Sequence, residues 1–213
     1  MNSDQLYKKI DSFNDELIYL RRHIHAHPEL SGLENQTAIL ISGFLKNIGW
    51  NVRESIGRTG VIADFGPVEN GIIGLRVDMD ALPIFEETKL SFSSKVDGVM
   101  HACGHDLHIS IGLGVAKIIK DLKLNFGTRI IFQPAEEIAS GARWMIKDGA
   151  INDLTHILGV HVYPELSVGT IGIKEGSLTA AAGELKVEIK GKSGHGARPV
   201  SYTHLTLPTK CSV

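Results

Sequence analysis

Apolar and polar residues follow two different periods along the chain. Apolar residues three, four or seven positions apart predict helices over residues 4–24, 37–48, 109–122 and 138–148. Short runs of apolar and β-branched residues predict strands over residues 51–56, 60–65, 72–77, 128–133 and 156–160. The runs at 72–77 and 156–160 are expected to form buried strands. Because strands and helices follow one another in turn, the pattern predicts an α/β domain whose mostly parallel sheet is flanked by helices.

A different pattern begins near Ala182. In residues 184–190 apolar side chains alternate with charged ones, which predicts a half-exposed strand of a mixed or antiparallel sheet. We therefore place a domain boundary here, with a first domain over residues 1–181 and the start of a second over residues 182–200. The last stretch, residues 201–213, shows no helical period and does not extend this strand.

The composition is that of an ordinary globular protein. Of the 213 residues, 43% are hydrophobic and 22% are charged, and the net charge is −2. This charge balance gives no reason to expect nucleic acid or a membrane surface as a partner. The polar start has no apolar signal segment, and no apolar run approaches membrane-spanning length. Two cysteines, Cys103 and Cys211, are too few for a disulfide framework, so we expect a reducing, cytoplasmic location.

Polar side chains follow three of the predicted strands at the points where those strands end. Asp78 and Asp80 follow the third strand, Glu136 and Glu137 follow the fourth, and His161 follows the fifth. Ligands of open α/β sheets bind outside the carboxyl ends of the strands. Acids and a histidine delivered to the same edge of the sheet therefore predict a metal site at that edge.

A further cluster, HACGHD, places Cys103 and His105 two positions apart, so both side chains can face one side of an extended segment. A thiolate and an imidazole suit zinc, and other divalent transition metals remain candidates. Adjacent residues point in different directions, so one of Glu136 and Glu137 can bind metal while the other acts as a general base. A bound metal lowers the pKa of water to about 7, and a nearby carboxylate can then take its proton.

Each of these features also has an ordinary explanation. Two adjacent glutamates usually lie on a solvated face, and a lone cysteine is often a small apolar filler. Asp78-Met79-Asp80 can form a turn with side-chain caps, and a single histidine after a strand is often only hydrogen-bonded. The shared position of the clusters at strand ends favours a metal site over these separate explanations.

Six segments of the chain resemble one known family. In order along the chain they are LRRHIHAHPELSGLENQTA, LRVDMDALP, MHACGHDLHISIGLG, IFQPAEE, ILGVHVYP and KGKSGHGARP. They resemble the aminoacylase, hippurate hydrolase and auxin-conjugate hydrolase family of dinuclear metallopeptidase-like amidohydrolases. The resemblance covers residues 16–200 almost continuously, and HACGHD followed by PAEE and then GVH is its most specific part.

The resemblance implies roles for individual residues and two divalent metal ions, for which zinc, manganese and nickel are the candidates. Glu136 matches the general base, and Asp80 matches an acid near the metals that orients the site. His195 matches a histidine that helps to stabilise the oxyanion, in related dimers from the neighbouring subunit. The residues that match metal ligands are Cys103, His105, Glu137 and His161.

Other polar residues of the matching segments are expected to be structural. His23, His25 and His27 alternate as a metal cluster could, but the corresponding segment of the family is structural. His108 is expected to pack or to hydrogen-bond behind the ligands, and the same holds for Asp106.

The resemblance also implies a domain organisation. Residues 1–181 match the first portion of a zinc-peptidase-like catalytic domain, and residues 182–200 match the first strand of an α+β satellite domain through which relatives form homodimers. Family members are about twice as long, and their second half supplies a further histidine ligand and much of the acyl pocket. Because the similarity stops at Ser201, residues 201–213 are expected to be a non-native tail. We therefore expect these 213 residues alone to fold poorly, bind metal weakly and show little activity.

These matches predict an enzyme that hydrolyses the amide bond of N-acyl amino acids. The same chemistry would serve to deacetylate an N-acetylated diamino acid such as N-acetyldiaminopimelate. A dipeptidase is a further alternative, although Cys103 among the ligands favours the amidohydrolase branch of the family. The last alternative is a non-catalytic binding protein built on a decayed enzyme, and the intact ligands and Glu136 argue against it.

Overall fold

The computed structural model describes residues 2–178 and Glu188. The chain divides into two compact units, Met1–Glu165 and Leu166–Val213. Within the described residues the helices are α1 Ser3–Asp11, α2 Asn14–Ala26, α3 Asn35–Asn47, α4 His105–Asp121 and α5 Gly141–Lys147. The strands are β1 Asn51–Ile56, β2 Gly60–Phe65, β3 Ile72–Asp78, β4 Gly127–Gln133 and β5 Leu154–Gly159. Apart from the first predicted helix, every predicted helix and strand of the first unit is present, within a few residues of its expected bounds.

The first predicted helix is two helices, so the prediction of one continuous element over residues 4–24 was wrong. The chain turns between α1 and α2 at Ser12, whose hydroxyl donates a hydrogen bond to the carbonyl oxygen of Lys9 at 2.6 Å. The side chain of Phe13, directly after this turn, is buried, and the Lys117 ammonium lies 4.8 Å from its ring centre. The turn therefore lets an aromatic side chain reach the core, which the continuous helical spacing did not reveal.

The five strands form one mixed sheet in the order β1-β2-β4-β3-β5. β3 pairs in parallel with both β4 and β5, whereas β2 is antiparallel to β4 and to β1. Four strands therefore run in one direction and only β2 runs in the other. The predicted α/β class with flanking helices is confirmed, with two parallel and two antiparallel pairings.

The main core lies between the sheet and the three helices α2, α3 and α4. All seven residues of β4 are buried, as expected for the central strand. A smaller cluster on the sheet brings together Ile62, Ile131, Met145 and Ala150 around α5. The fully buried members of the main core include Ile41, Leu45, Val61, Val77, Met79, Ile109, Leu113, Ile130 and Phe132. This core fixes β3 and β4, whose ends carry the polar clusters, against α4.

The expectation that residues 156–160 form a buried strand was wrong. β5 is an edge strand, and its side chains Ile157 and Leu158 are 52% and 61% exposed. Within the described part of the chain β5 pairs with β3 on one side only. An apolar run therefore identified the strand correctly, but its position at the edge of the sheet leaves it open to solvent.

The second unit is described only at residues 166–178 and Glu188, which form no helix or strand. The predicted boundary at 181/182, the strand predicted around residues 184–190 apart from Glu188, and the tail 201–213 lie outside the described residues. None of the helices seen in the described ranges is both long enough and apolar enough to cross a membrane.

Candidate metal centre

The polar clusters meet where the parallel strands end. Asp78 is the last residue of β3, with Asp80 just beyond it. Glu136 and Glu137 follow β4, and His161 follows β5. β3, β4 and β5 run in parallel, so their carboxyl ends share one edge of the sheet. The structure thus brings the residues from separate strands to one place.

α4 begins at this same edge and supplies the remaining groups. Gly104 is the residue before the helix and has a φ of +86°, a left-handed conformation that glycine adopts easily. A Cβ atom on Gly104 would also lie 2.6 Å from Cγ2 of Val162. Glycine at this position therefore lets the chain turn sharply between Cys103 and His105 while the segment after β5 packs against it.

Cys103, His105 and His161 form the first group with metal-ligand geometry. One ligand atom from each lies within 4.8 Å of the other two. The Sγ atom of Cys103 is 3.5 Å from Nε2 of His161. The other ring nitrogen of His161, Nδ1, lies 2.7 Å from the carbonyl oxygen of Val162. Because a carbonyl can only accept, Nδ1 is the donor in this contact, which leaves Nε2 facing Cys103.

His105 is held in the same way. Its Nδ1 atom lies 2.8 Å from the backbone carbonyl oxygen of Asp80, so Nδ1 donates and Nε2 is left free. Nε2 is 3.7 Å from Oε1 of Glu137 and 4.0 Å from Oε2 of Glu136. These three residues form the second group with metal-ligand geometry, and they share His105 with the first.

Two buried atoms at the centre of this arrangement lack partners. Nε2 of His105 and Oε1 of Glu137 are both shielded from solvent, and neither has a hydrogen-bond partner among the described residues. Buried polar atoms are nearly always hydrogen-bonded or bound to an ion. A thiol, imidazole nitrogens and carboxylates also form the donor set that zinc and similar divalent metals take. The residues present therefore fit a metal centre.

Acidic groups crowd the site and shift the pKa of its members. Burial, followed by the negative charges of Glu137 and Glu136, raises the pKa of the Cys103 thiol to about 12. Burial also raises the pKa of Glu137. The nearby His105 lowers this pKa, but by less than burial raises it. Burial lowers the pKa of His105, but its contact with Asp80 and the surrounding carboxylates raise it by more. The cluster has an excess of negative charge that bound cations would offset.

Asp80 connects three segments of the site. Its Oδ2 atom accepts hydrogen bonds from the backbone N–H of Glu137 at 3.0 Å and from the hydroxyl of Ser31 at 2.6 Å. Its carbonyl oxygen accepts from His105. Burial raises the pKa of Asp80, but the hydrogen bonds that it accepts lower it by more, so the net shift is downward. Asp80 is placed to orient both His105 and Glu137.

His108 packs against His105 and His161, with ring centres 5.3 and 4.6 Å away, and with Asp78 and His105 it forms a third group with metal-ligand geometry. It is fully buried, and its Nε2 atom accepts the backbone N–H of Val162 at 2.9 Å. Its Nδ1 atom therefore carries the proton and donates to Asp78. The second oxygen of Asp78 is 2.8 Å from the Arg76 guanidinium. This chain of contacts fixes the backbone directly after His161.

The alternating histidines near the amino terminus lie apart from these groups. His25 is buried and contacts Asp106 at 2.8 Å and Glu86 at 3.1 Å, and both partners can only accept. The exposed rings of His23 in α2 and His27 directly after α2 are tilted against each other, with ring centres 4.5 Å apart. None of the three belongs to a group of three metal-binding side chains within the described part of the chain. The structural interpretation of these histidines agrees with their placement.

Sequence reasoning missed one buried residue of this region, Glu34. Its carboxyl group is fully buried and accepts the backbone N–H of Ala135, directly before Glu136, at 2.8 Å. The residue stands in the polar stretch SGLENQ, where nothing in the local pattern marks it as buried.

Of the residues singled out from the sequence, His195 lies outside the described residues, and the others meet at the site: Asp80, Cys103, His105, Glu136, Glu137 and His161.

Several known proteins have sequences similar to that of this chain. The family model of peptidase family M20/M25/M40 matches residues 74–209. The N-acetyl-L-cysteine deacetylase of Bacillus subtilis (strain 168) is 44% identical over 193 residues, which are 89% of this chain and 46% of that protein. The N-acyl-L-amino acid amidohydrolase of Geobacillus stearothermophilus is 39% identical over 203 residues, which are 93% of this chain and 55% of that protein.

Solved structures agree. The Bacillus subtilis YXEP protein, described as a dinuclear metal binding peptidase from the M20 family, matches with a TM-score of 0.75 and 45% identity. The match covers 78% of this chain and 47% of that one, so the chain spans about half the length of the relatives that it matches. The family resemblance carried by the six sequence segments is thereby confirmed. Since the family model takes in more than half of its residues, the chain belongs to peptidase family M20/M25/M40.

Proposed function

We propose that the complete protein is a metal-dependent amidohydrolase that removes the acyl group from N-acyl amino acids. The observation that carries this proposal is the pair of buried atoms His105 Nε2 and Glu137 Oε1, which lie 3.7 Å apart without a hydrogen-bond partner among the described residues, in groups that also include Cys103 and His161. Two relatives support the substrate class, since one is named as a deacetylase of N-acetyl-L-cysteine and another as an N-acyl-L-amino acid amidohydrolase.

Two divalent cations are part of the proposal, with zinc, manganese and nickel as candidates. They would be held by Cys103, His105, Glu137 and His161 and, by the family resemblance, by one histidine in the half of the relatives that this chain does not span. Thiolate, imidazole and carboxylate donors suit such borderline metals. The dinuclear description of the YXEP structure supports the number of ions.

Glu136 is the proposed general base. When bound, the cations would polarise the substrate carbonyl and lower the pKa of water to about 7. The Glu136 side chain is 38% exposed against 18% for Glu137, so it is the more open of the two carboxylates to substrate and water. Glu136 accepts a proton from the attacking water and passes it to the departing amide nitrogen, which completes hydrolysis to a carboxylic acid and an amine.

We extend the proposal to His195, which the family resemblance assigns to stabilising the oxyanion from the neighbouring subunit of a homodimer. The support for this role is the KSGHGARP motif. Residues 182–200 would then begin the dimerising satellite domain after a catalytic domain over residues 1–181. A cytoplasmic location is supported by Cys103, a free thiol that has to stay reduced in order to bind metal.

The test is a hydrolysis screen of the complete protein, stripped of metal and then restored with zinc, manganese or nickel. N-acyl amino acids, including N-acetyldiaminopimelate, are compared with dipeptides, since the YXEP description names a peptidase. We expect metal-dependent release of free amino acid from N-acyl substrates. Faster cleavage of dipeptides would replace the deacylase with a peptidase, and no hydrolysis of either class with any of the metals would refute the enzymatic proposal.

A pair of matched variants separates catalysis from binding. Glu136→Gln should lower kcat by roughly 10²- to 10⁴-fold, the range of general base catalysis, and leave metal affinity unchanged. Glu69→Gln is the control, because Glu69 is exposed in the turn between β2 and β3, at the opposite end of β3 from Asp78. A non-catalytic binding protein would respond to neither substitution.

A further inference from the structure

We propose that Glu34 is a positioning residue that holds the loop after β4, residues 134–140, in the conformation that presents Glu136 and Glu137. The roles of those two glutamates rest on the proposed function above. The contacts of the Glu34 carboxyl group support this positioning role independently. Glu34 stands 101 positions before Ala135, the residue of the loop that it contacts.

The carboxyl group of Glu34 joins three segments of the protein. It is fully buried, and its Oε1 atom accepts the backbone N–H groups of Ala135 and Gly32, each at 2.8 Å. Its Oε2 atom accepts the hydroxyl of Thr59, in the turn between β1 and β2. No lysine, arginine or histidine of the described residues forms an ion pair with it. Its contacts are therefore those of a hydrogen-bond anchor for backbone.

The loop that it anchors is tightly folded. Ala135 and Ala139 have φ values of 49° and 50°, the left-handed region that residues with a side chain rarely adopt. The carbonyl oxygen of Ala135 accepts from the N–H groups of Ser140 at 3.2 Å and Gly141 at 3.0 Å, which closes the loop on itself. Ala135 is fully buried, so Glu34 is what satisfies its N–H group. Without Glu34 that donor would be left unpaired in a strained residue.

Glu136 is consequently held from both sides. The residue before it, Ala135, donates its N–H to Glu34, and the residue after it, Glu137, donates its N–H to Asp80. Both accepting carboxyl groups are almost completely buried and belong to different segments of the fold. Two rigid anchors on either side of one residue fix its backbone, and with it the direction of the Glu136 and Glu137 side chains.

Three variants of the complete protein distinguish positioning from general stability. Glu34→Met removes every acceptor, so Ala135 loses its partner. Glu34→Gln keeps one oxygen for Ala135 and Gly32, while its amide can donate to the hydroxyl of Thr59. Thr59→Val removes a different hydrogen bond of the same carboxyl group and leaves the one to Ala135 in place. It is the matched control for lost stability.

The readouts are the affinity for Co²⁺, its thiolate absorption spectrum, and kcat and KM for an N-acyl amino acid. In Glu34→Met we expect Co²⁺ affinity and kcat to fall by roughly 10- to 100-fold, with KM little changed, because the loop carries a ligand and a base. Glu34→Gln should retain most of both. Thr59→Val should lower Tm without these losses. Equal losses in Thr59→Val, or wild-type Co²⁺ affinity and kcat in Glu34→Met, would overturn the proposal.

Hydrogen exchange at the Ala135 amide in the wild-type protein tests the anchor without any substitution. We expect strong protection there, and fast exchange would refute the anchor even if Glu34→Met did not fold. This measurement and the Co²⁺ titration are independent of the substrate. A wild-type protein that binds Co²⁺ with a protected Ala135 amide but hydrolyses no N-acyl amino acid would therefore refute the proposed function and retain the anchor.

Discussion

The backbone N–H of Glu137 donates a hydrogen bond to Oδ2 of Asp80 at 3.0 Å, while the carbonyl of Asp80 accepts from His105. Asp80, two residues beyond the end of β3, thus orients a proposed ligand from the loop after β4 and another from the start of α4. Contacts of this kind behind metal ligands set the direction of the ligands and strengthen binding.

Substitution of Asp80 should weaken metal binding more than it weakens the fold. In Asp80→Ala we expect zinc affinity, measured by calorimetric titration, to fall by about 10- to 100-fold, because Glu137 loses the acceptor that fixes its backbone. Ser31→Ala is the control, since Ser31 donates to the same Oδ2 atom without touching a ligand. Equal zinc affinity in wild type and Asp80→Ala would show that Glu137 needs no such support.

His108 should contribute chiefly to stability. His108→Phe keeps a ring of similar size but leaves the N–H of Val162 and a buried oxygen of Asp78 without partners. We expect the free energy of unfolding, measured by urea denaturation, to fall by about 1–3 kcal/mol. His27→Phe, at the exposed residue directly after α2, should change the free energy of unfolding by less than about 0.5 kcal/mol. Similar values for the two variants would contradict the buried hydrogen bonds.

The loop after β4 should not tolerate a side chain at Gly141. A Cβ atom there would overlap the carbonyl oxygen of Pro134, so Gly141→Ala has to open the loop. We expect a loss of about 3 kcal/mol or more in unfolding free energy, together with weaker metal binding. Gly43→Ala is the matched control: a Cβ on Gly43 meets nothing within 4 Å, and alanine favours the interior of α3 by about 1 kcal/mol. A stable Gly141→Ala variant would refute the geometry of this loop.

Stability should depend on pH through the contact between His25 and Glu86. The hydrogen bond to Asp106 raises the pKa of His25, although burial opposes it, and the contact with Glu86 adds to the rise. Burial raises the pKa of Glu86, but hydrogen bonds from Ser94, Thr88 and His25 lower it by more, to about 2. The stabilisation from His25 is fully present below its ordinary pKa of 6.5 and is lost as the pH rises through the higher folded value.

The stabilisation from Glu86 has the opposite dependence. It is fully present above the ordinary pKa of 4.5 and is lost as the pH falls toward 2. The two contributions therefore overlap between pH 4.5 and 6.5. Denaturation of wild type and Glu86→Gln from pH 3 to 8 should show the largest difference in that window. A difference that is constant across the whole range would exclude an ionic contact.

The local pattern of apolar and polar residues was sufficient to predict most helices and strands and most residues of the candidate metal centre. The helices and strands of the first unit were predictable because their apolar periods report which face is covered. The end of each strand was also visible in the sequence, so Asp80, Glu136 and His161 could be expected at one edge of a parallel sheet. Local pattern failed at Phe13, where helical spacing continues through a break, and at Ile157, where an apolar strand lies at an exposed edge.

The sequence by itself determined the fold class, the family and the set of side chains that reach the site, because strand ends and motif spacing are properties of neighbouring residues. Only the tertiary structure decided which ring nitrogen of His105 and His161 stays free, since that depends on a carbonyl held nearby. It also decided that Glu34 supports Ala135, a contact between residues 101 positions apart. Burial of a polar residue is set by what folds over it, and the residue's own neighbours in sequence do not record that.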